Sequence, residues 1–408
     1  MEPVTDMATD EPVTTRETTA RHDLVIPKVA PAQQRVTVRS FDVDGPATMV
    51  DRFVEVGLRL QRATPLRIPQ AEAVMRHRLS SAFGWYATGT ARHFVATIDG
   101  RDVGRCSAML DPSQRDAEGR QVGLVGQWEC EGGEDGLAAA HALLELAAAW
   151  LRGHDAVRIV GPIDFSTWYG YRFLDGPGDG RDPMLTEPVT PDHAIAQWES
   201  FGFAKDETYF SAEIASPTDA LDMARPVAKM LVDDGWKVRQ LRMREWDDLI
   251  EQAHAMSMQE FTRQPYFTPI SLDDFRAMYA GMKRGVDPRY VFTAWSPDGD
   301  FAGYVFGVRD LSRAARALEG GGLRGKVRAA REAWRCDHMM VKTICVAKPY
   351  RKLGITILIQ HALYCAAMDT GHTRVSNMLM HGNNRSRELT AIAGGVEFRS
   401  YVTLALDA

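Results

Sequence analysis

The sequence predicts a mixed α/β protein in which one plan of strands and helices occurs twice. Two observations carry that expectation. Segments with strand alternation are interleaved with segments of helical period, and the same order of elements, hairpin included, stands on either side of a breaker cluster, Ala215-Ser216-Pro217-Thr218-Asp219. In the first half, Gln34 to Val43 alternates as a strand and Met49 to Leu60 carries apolar residues at helical spacing. Phe94 to Leu110 reads as a hairpin turning at Asp99-Gly100, followed by a strand at Val122 to Trp128, a helix at Leu137 to Leu151 and a strand at Ala156 to Val160. In the second half, Trp236 to Leu241 is a strand, Trp246 to Met258 a helix, and Tyr290 to Arg309 a hairpin turning at Ser296-Pro297-Asp298-Gly299. There follow strands at His338 to Val346, Arg374 to Met380 and Phe398 to Leu406, with helices at Ile355 to Met368 and Ser386 to Ile392 between them.

The chain has 408 residues, enough for two or three domains and a sizeable core. Its 25% charged and 45% apolar residues are ordinary globular usage, which excludes a fibrous, coiled-coil or wholly disordered protein. Forty-eight Lys plus Arg against 54 Asp plus Glu give a net charge of −6, so the chain is no general nucleic-acid coat. Residues 1–33 are rich in Thr, Pro and acids and poor in large apolar groups, the composition of a disordered tail. The domain division read from this pattern is 1–33 tail, 34–218 first domain and 219–408 second domain. The longest apolar run, Gly136 to Leu151, is interrupted by His141 and Glu145 and is too short to span a bilayer, so no membrane partner is expected. No signal peptide is visible, and five cysteines without a CxxC pair point to a reducing, cytoplasmic compartment.

The sharpest motif is the run Thr343 to Thr356 (TICVAKPYRKLGIT), a strand leading through Arg351-Lys352-Leu353-Gly354 into a helix. A helix start presents unpaired N–H groups and the positive end of the dipole, which suit a pyrophosphate, and Gly354 lets the backbone approach it. Some thirty residues on, Asn383-Asn384-Arg385-Ser386 opens another helix, followed by Gly394-Gly395-Val396-Glu397-Phe398 and the last strand. In this order of elements the chain resembles the GNAT superfamily of N-acetyltransferases, with Thr356 standing where the family usually has a third small residue. Gly161-Pro162-Ile163-Asp164-Phe165-Ser166 and Trp198 to Lys205 are similar to segments of bacterial tandem members of that superfamily.

The resemblance implies two tandem GNAT-like domains, each a mixed, mostly antiparallel sheet flanked by helices. The first looks like a degenerate copy, because its loop Glu129 to Gly136 carries four acids and no Arg at the helix mouth. Acids there repel a pyrophosphate, so donor binding is expected in the second half alone. The family implies an N-acyltransferase that moves an acyl group from a thioester, acyl-CoA or the phosphopantetheine of an acyl carrier protein, to the amine of a small molecule. It implies a donor arm along Ile344, Cys345 and Val346, a pyrophosphate at Arg351, Lys352, Leu353, Gly354, Ile355 and Thr356, and a role for Asn384 near the donor. The family's usual Tyr acid is missing from Ser386 to Ile392, which leaves Tyr401, His381 and Tyr350 as candidate acid–base groups. Histidines 338, 361 and 372 have no paired metal spacing, and no metal is expected.

Asp164 to Phe173 packs five aromatics into a loop after a strand, with Phe165, Ser166, Trp168 and Tyr169 as candidate acceptor-site residues. Both a cleft wall and a packing plug between the halves fit this composition. Leu311 to Arg335 has six Arg and one Lys against two Glu around Gly320-Gly321-Gly322. It reads as a solvated helical hairpin or as a landing surface for coenzyme A, an acyl carrier protein or aminoacyl-tRNA. An aminoacyl-tRNA-dependent amide-forming transferase of the same fold, and a non-catalytic protein that kept the fold, are the rival readings.

Overall fold

The computed structural model describes residues 35–176, 180–185, 187–283 and 285–407; the tail of 1–33 lies outside the described residues. The first half contains β1 (Val36–Asp42), α1 (Ala47–Ala63), α2 (Glu72–Arg78), β2 (Thr90–Ile98), β3 (Arg101–Arg115), β4 (Gln121–Cys130), α3 (Gly133–Arg152), β5 (Arg158–Gly161), β6 (Phe173–Asp175), α4 (Ala194–Phe201) and β7 (Ala204–Ile214). The second contains α5 (Pro217–Asp233), β8 (Lys237–Gln240), α6 (Trp246–Glu260), α7 (Leu272–Ala280), β9 (Val291–Trp295), β10 (Phe301–Arg309), α8 (Ser312–Glu319), α9 (Gly322–Trp334), β11 (His338–Val346), α10 (Ile355–Asp369), β12 (Arg374–His381), α11 (Arg385–Ile392) and β13 (Gly395–Asp407).

The expected strands and helices are present with their ends moved by a few residues, and both hairpins turn where Asp-Gly chemistry places them. The breaker cluster at 215–219 turns out to open a helix: Pro217 occupies its first turn and the Ser216 hydroxyl accepts the Asp219 N–H at 3.3 Å, an N-cap.

All strands belong to one sheet, ordered β1-β2-β3-β4-β5-β13-β7-β12-β11-β10-β9-β8, with β6 added beside β13. Only β4/β5 and β11/β12 run parallel; the other pairs are antiparallel. The last strand of each half is exchanged. β7 pairs with β12 of the second half, β13 pairs with β5 of the first, and β7 and β13 pair with each other from Gly395↔Ile214 to Ala405↔Ala204. Each half covers both faces of its part of the sheet. In the first half, Phe53, Val54 and Leu58 of α1 pack with Phe41 and Val95 on one face, and α3 buries Leu143, Ala147 and Leu151 on the other. In the second, α6 and α7 bury Leu249, Ile250 and Phe275 on one face, while α5 and α10 bury Leu231, Leu358, Ile359 and Leu363 on the other.

Each parallel pair holds for only a few residues and then parts. β4 and β5 pair over Val122–Leu124 and Arg158–Val160; β11 and β12 pair over His338–Val341 and Arg374–Asn377. Beyond those points each half has a split in the sheet, and the two splits have different contents.

On the α1 side of the first half, His93 is wholly buried, with Nδ1 2.7 Å from Ser107 Oγ and Nε2 3.1 Å from the Tyr86 hydroxyl. Ser107 donates to Gln127 Oε1 at 2.7 Å, so Nδ1–H donates to Ser107 and Nε2 stays an acceptor. Burial, seconded by the Arg105 charge, pushes the imidazole pKa down to about 3. A base held neutral in the fold leaves stability intact above its unfolded pKa of about 6.5 and removes it as the pH falls below that value, by about 1.4 kcal/mol per pH unit, until the folded pKa is reached. Urea unfolding at stepped pH is expected to show this acid limb, and His93→Gln to flatten it between pH 6.5 and 4; an equally steep limb in the variant would assign the acid loss to other groups.

Candidate functional site

The second split lies at the C-terminal end of β11. Pairing with β10 fixes which way its backbone points. Ala347 N–H donates to Ala302 O at 2.9 Å, and Cys345 lies opposite Tyr304 with its carbonyl against Gly303. By antiparallel alternation the amides of Cys345 and Ala347 face β10, while the N–H and C=O groups of Ile344 and Val346 face the split, where β12 no longer pairs. Lys342 to Ile344 are half-buried, so this strand edge is open to a ligand. The thiol of Cys345 points the other way, into the apolar cluster under α6 and α7. Burial pushes its pKa up to about 12, which makes it a packing group, and only its backbone neighbours belong to the split.

The motif at 351–356 forms the mouth of the split. A 3₁₀ turn over Lys348–Leu353 leads to Gly354, whose φ of 88° is the left-handed region that favours glycine, and Gly354 stands at the N-cap of α10. No acid occupies the first turn of α10, so its leading N–H groups, at Ile355 and Thr356, keep the uncompensated positive end of the helix. Ile355 is buried against the sheet, Thr356 is half-buried, and Arg351, Lys352 and Leu353 are exposed. Arg351 turns back: its Nε donates to Val346 O at 3.1 Å and its Nη2 pairs with Glu260, which also accepts the Lys348 N–H at 2.8 Å. Glu260, at the end of α6, therefore fastens the loop to the neighbouring helix. Nothing in the sequence marks it, because its partners lie some ninety residues on.

Of the three acid–base candidates, the structure brings one to this split. His381 ends β12 beyond Asn377, the last residue of that strand paired with β11, and so stands on the wall of the split. Its Nε2 lies 2.7 Å from Glu207 Oε2, and its Nδ1 accepts the Asn383 N–H at 3.3 Å. The ring proton is thus on Nε2 and directed at Glu207. Glu207 comes from β7, the exchanged strand of the first half, and retains 31% of its side-chain exposure. Tyr401 lies on β13, with β7 and β12 between it and β11. It is wholly buried, its hydroxyl donates to Glu187, and burial drives its pKa upward. Tyr350 faces the β9–β10 turn, packed against Trp236 and donating to Asp300 at 3.0 Å, a bond that raises its pKa. Asn384 caps α11, its Oδ1 accepting the Ser386 N–H at 3.1 Å.

The first split is filled by its own chain. After β5, Ile163 N–H donates to Val125 O at 2.9 Å, Asp164 accepts the Gln127 N–H at 2.5 Å, and a Cβ on Gly126 would stand 2.1 Å from Ile163 O. At the strand end, His193 and Gln197, at the start of α4, donate to the carbonyls of Cys130 and Glu131 at 2.9 and 2.7 Å. The acids expected at this mouth are paired or placed at the helix start. Glu129 accepts two bonds from Arg67 at 2.6 and 2.9 Å, Glu131 pairs with Arg59 and Arg101, and Glu134 and Asp135 sit in the first turn of α3. Every residue from Val122 to Cys130 is buried. A cavity of about 290 Å³ remains beside this strand end, bounded by Arg67, Glu129, Arg172, Glu187 and Arg316.

The loop after β5 both plugs the first split and reaches the second half. Phe165 and Ser166 are wholly buried; Phe165 packs edge-on to Phe83 and Trp85. Trp168 is half-buried, donates Nε1–H to Thr268 O at 2.8 Å and meets Phe261 and Phe267 of the α6–α7 loop. Tyr169 is half-buried against Phe83, under the Arg78 guanidinium. No cluster of His, Cys, Asp and Glu arranged to hold a metal is found among the described residues.

No family model matches the chain. It is similar to the bacterial ceramide synthase of Caulobacter vibrioides, with 26% identity over 319 residues that make up 76% of this chain and 81% of the relative. Among solved structures, a probable N-acyltransferase from Enterococcus faecalis V583 aligns over 91% of this chain and 72% of its own, with TM-score 0.50 and 11% identity. A tandem GNAT protein from the clavulanic acid biosynthesis pathway aligns over 91% of this chain and 98% of its own, with TM-score 0.49 and 13% identity.

An acid at the mouth of α10 separates anion binding from helix stability. Thr356→Glu is expected to keep or slightly raise the thermal midpoint, since an acid in the first turn contributes about 0.3–1 kcal/mol. It is expected to weaken coenzyme A binding, read by calorimetry, by at least about tenfold through charge repulsion. Unchanged coenzyme A affinity in this variant would remove the pyrophosphate from the α10 N-terminus.

Proposed function

We propose that this chain, which has the tandem GNAT fold, is an N-acyltransferase that joins a long-chain acyl group from a thioester to the amino group of a long-chain base, forming a ceramide-type amide. The observation that carries the donor half of this reading is the open edge at Ile344 and Val346 leading to an acid-free helix N-terminus at Gly354, set against the filled split of the first half. The ceramide synthase relative carries the acceptor half.

A pantetheine arm is a chain of amides, and along Ile344 and Val346 it adds to β11 as a further strand while its pyrophosphate meets the first-turn N–H groups of α10. With the arm laid that way, the thioester carbonyl lies toward Ile344, whose N–H stabilises the oxygen as it becomes an oxyanion. The freed amine nitrogen bonds to the carbonyl carbon, the C–S bond breaks, the departing thiolate takes the second of the two nitrogen protons and leaves as the free thiol, and the first, lost from the ammonium before attack, goes to a base. Glu207 takes that proton: it keeps free lone pairs and partial exposure, whereas both ring nitrogens of His381 are engaged. His381 is the positioning residue, its Nε2–H holding the carboxylate in place. The half-buried aromatics Trp168, Phe261 and Phe267 flank the α6–α7 loop and offer an apolar wall to the alkyl chain of the base.

The test is amide formation from palmitoyl-CoA and sphinganine, followed by mass spectrometry. Glu207→Gln is expected to lower kcat/KM by about a hundredfold or more with coenzyme A affinity unchanged. His381→Gln, which retains an N–H donor, is expected to lose less than His381→Ala. A fully active Glu207→Gln would dismiss the assigned base, and absence of amide from every thioester and long-chain amine offered would dismiss the activity.

A further inference from the structure

The basic segment at 311–335 is a pair of helices, α8 and α9, inserted between β10 and β11. Its base is fixed. Arg316 donates to Pro183 O at 3.0 Å, Arg309 donates to the Ala333 carbonyl, and Asp310 N–H bonds His338 O at 3.0 Å. α9 packs inward by small residues: Gly325 and Ala329, four apart, are buried, and Gly325 sits close to Ala317 O of α8.

The opposite face of α9 is apolar and open. Leu323, Val327, Ala330 and Trp334 are spaced four, three and four apart, so at roughly 100° per residue they fall within about 60° of one another on the helix surface. Trp334 is 83% exposed, Leu323 78% and Val327 63%, values that outrank every other exposed large apolar side chain here except Ile392. Arg324, Arg328, Arg331 and Arg335 line one border of the stripe and Lys326 the other, and among the described residues no ion pair ties any of the five. A stripe of Leu, Val and Trp between two cationic borders, facing away from the protein, has no use in a solvated hairpin. A nucleic acid would take the arginines and leave the Leu and Val stripe in water.

We propose that the α8–α9 hairpin lays the protein on an anionic bilayer, with Leu323, Val327 and Trp334 entering the headgroup–acyl boundary and the flanking arginines meeting lipid phosphates. Charge complementarity chooses this occupant, and the outward apolar stripe separates it from a carrier protein or tRNA. This revises the expectation, drawn from the absence of a spanning segment, that the chain has no membrane partner. No helix among the described residues is long and apolar enough to cross a membrane, and an interfacial helix does not need to be.

The experiment is co-sedimentation of the full chain with vesicles of phosphatidylcholine alone or with about 30 mol% phosphatidylglycerol, at low and high salt. Wild type is expected to bind the anionic vesicles at least about tenfold more tightly than the neutral ones, and less tightly at high salt. The triple variant Leu323→Ser, Val327→Ser, Trp334→Ser is expected to lose about tenfold or more, and Arg324→Glu, Arg328→Glu, Arg331→Glu about a hundredfold. All six positions are exposed, so thermal midpoints are expected to stay put and unfolding is read separately. A wild type that remains in the supernatant with anionic vesicles overturns the proposal, as does vesicle binding that the apolar triple variant leaves unchanged. Retention of tRNA in place of vesicles, unaffected by the apolar variant, overturns it in favour of a nucleic-acid surface.

Discussion

The pairing of β7 with β13 is the constraint on which the rest of the molecule depends. Each is the last strand of its half, and each lies against the other half's parallel strand: β7 against β12, β13 against β5. The exchange turns two incomplete sheets into one of thirteen strands and removes two edges that would otherwise expose unpaired backbone. It also has a chemical consequence. Glu207 belongs to the first half by sequence and to the second half's split by position, so the His381–Glu207 pair exists only because the strands are exchanged.

Within that frame the two splits have diverged. Both arise the same way, from a parallel pair that holds for a few residues and then parts. In the first, the chain after β5 supplies its own hydrogen-bond partners to β4: Asp164 to Gln127, Ile163 to Val125, then His193 and Gln197 to the strand end. Buried backbone groups must be paired, and here the chain itself pairs those of Val125, Gln127, Cys130 and Glu131. In the second, Ile344 and Val346 face the parted strands, where among the described residues the Arg351 side chain bonds the Val346 carbonyl and no strand pairs with them on that side.

Much of this was legible in the residues. The strand–turn–helix of 343–356 is where its spacing placed it, Gly354 stands at the N-cap of the helix that follows, and the acids of the 129–136 mouth are paired with arginines or seated in the first turn of α3. Local patterns reveal the first two because each rests on neighbours in the chain. Long-range pairing was hidden: Glu207 and Glu260 look like surface acids until β7 and α6 are docked beside partners 174 and about ninety residues away. The aromatic loop at 164–173 read both as a wall and as a plug, and the structure gives its residues to both. Phe165 and Ser166 are core, while Trp168 stands half-buried against the α6–α7 loop. Tyr401 and Tyr350 were candidates by residue type alone, and the strands and turn that carry them lead elsewhere, to Glu187 and Asp300.

Donor binding in one split and not the other is the claim everything else requires, and hydrogen–deuterium exchange of the full chain with and without coenzyme A measures it directly. The expected result is new protection in peptides covering 343–358 and none in those covering 125–137. Protection at 125–137, or in both regions alike, would mean that the plugged split opens to the donor, and the assignment of the two halves would have to be reversed.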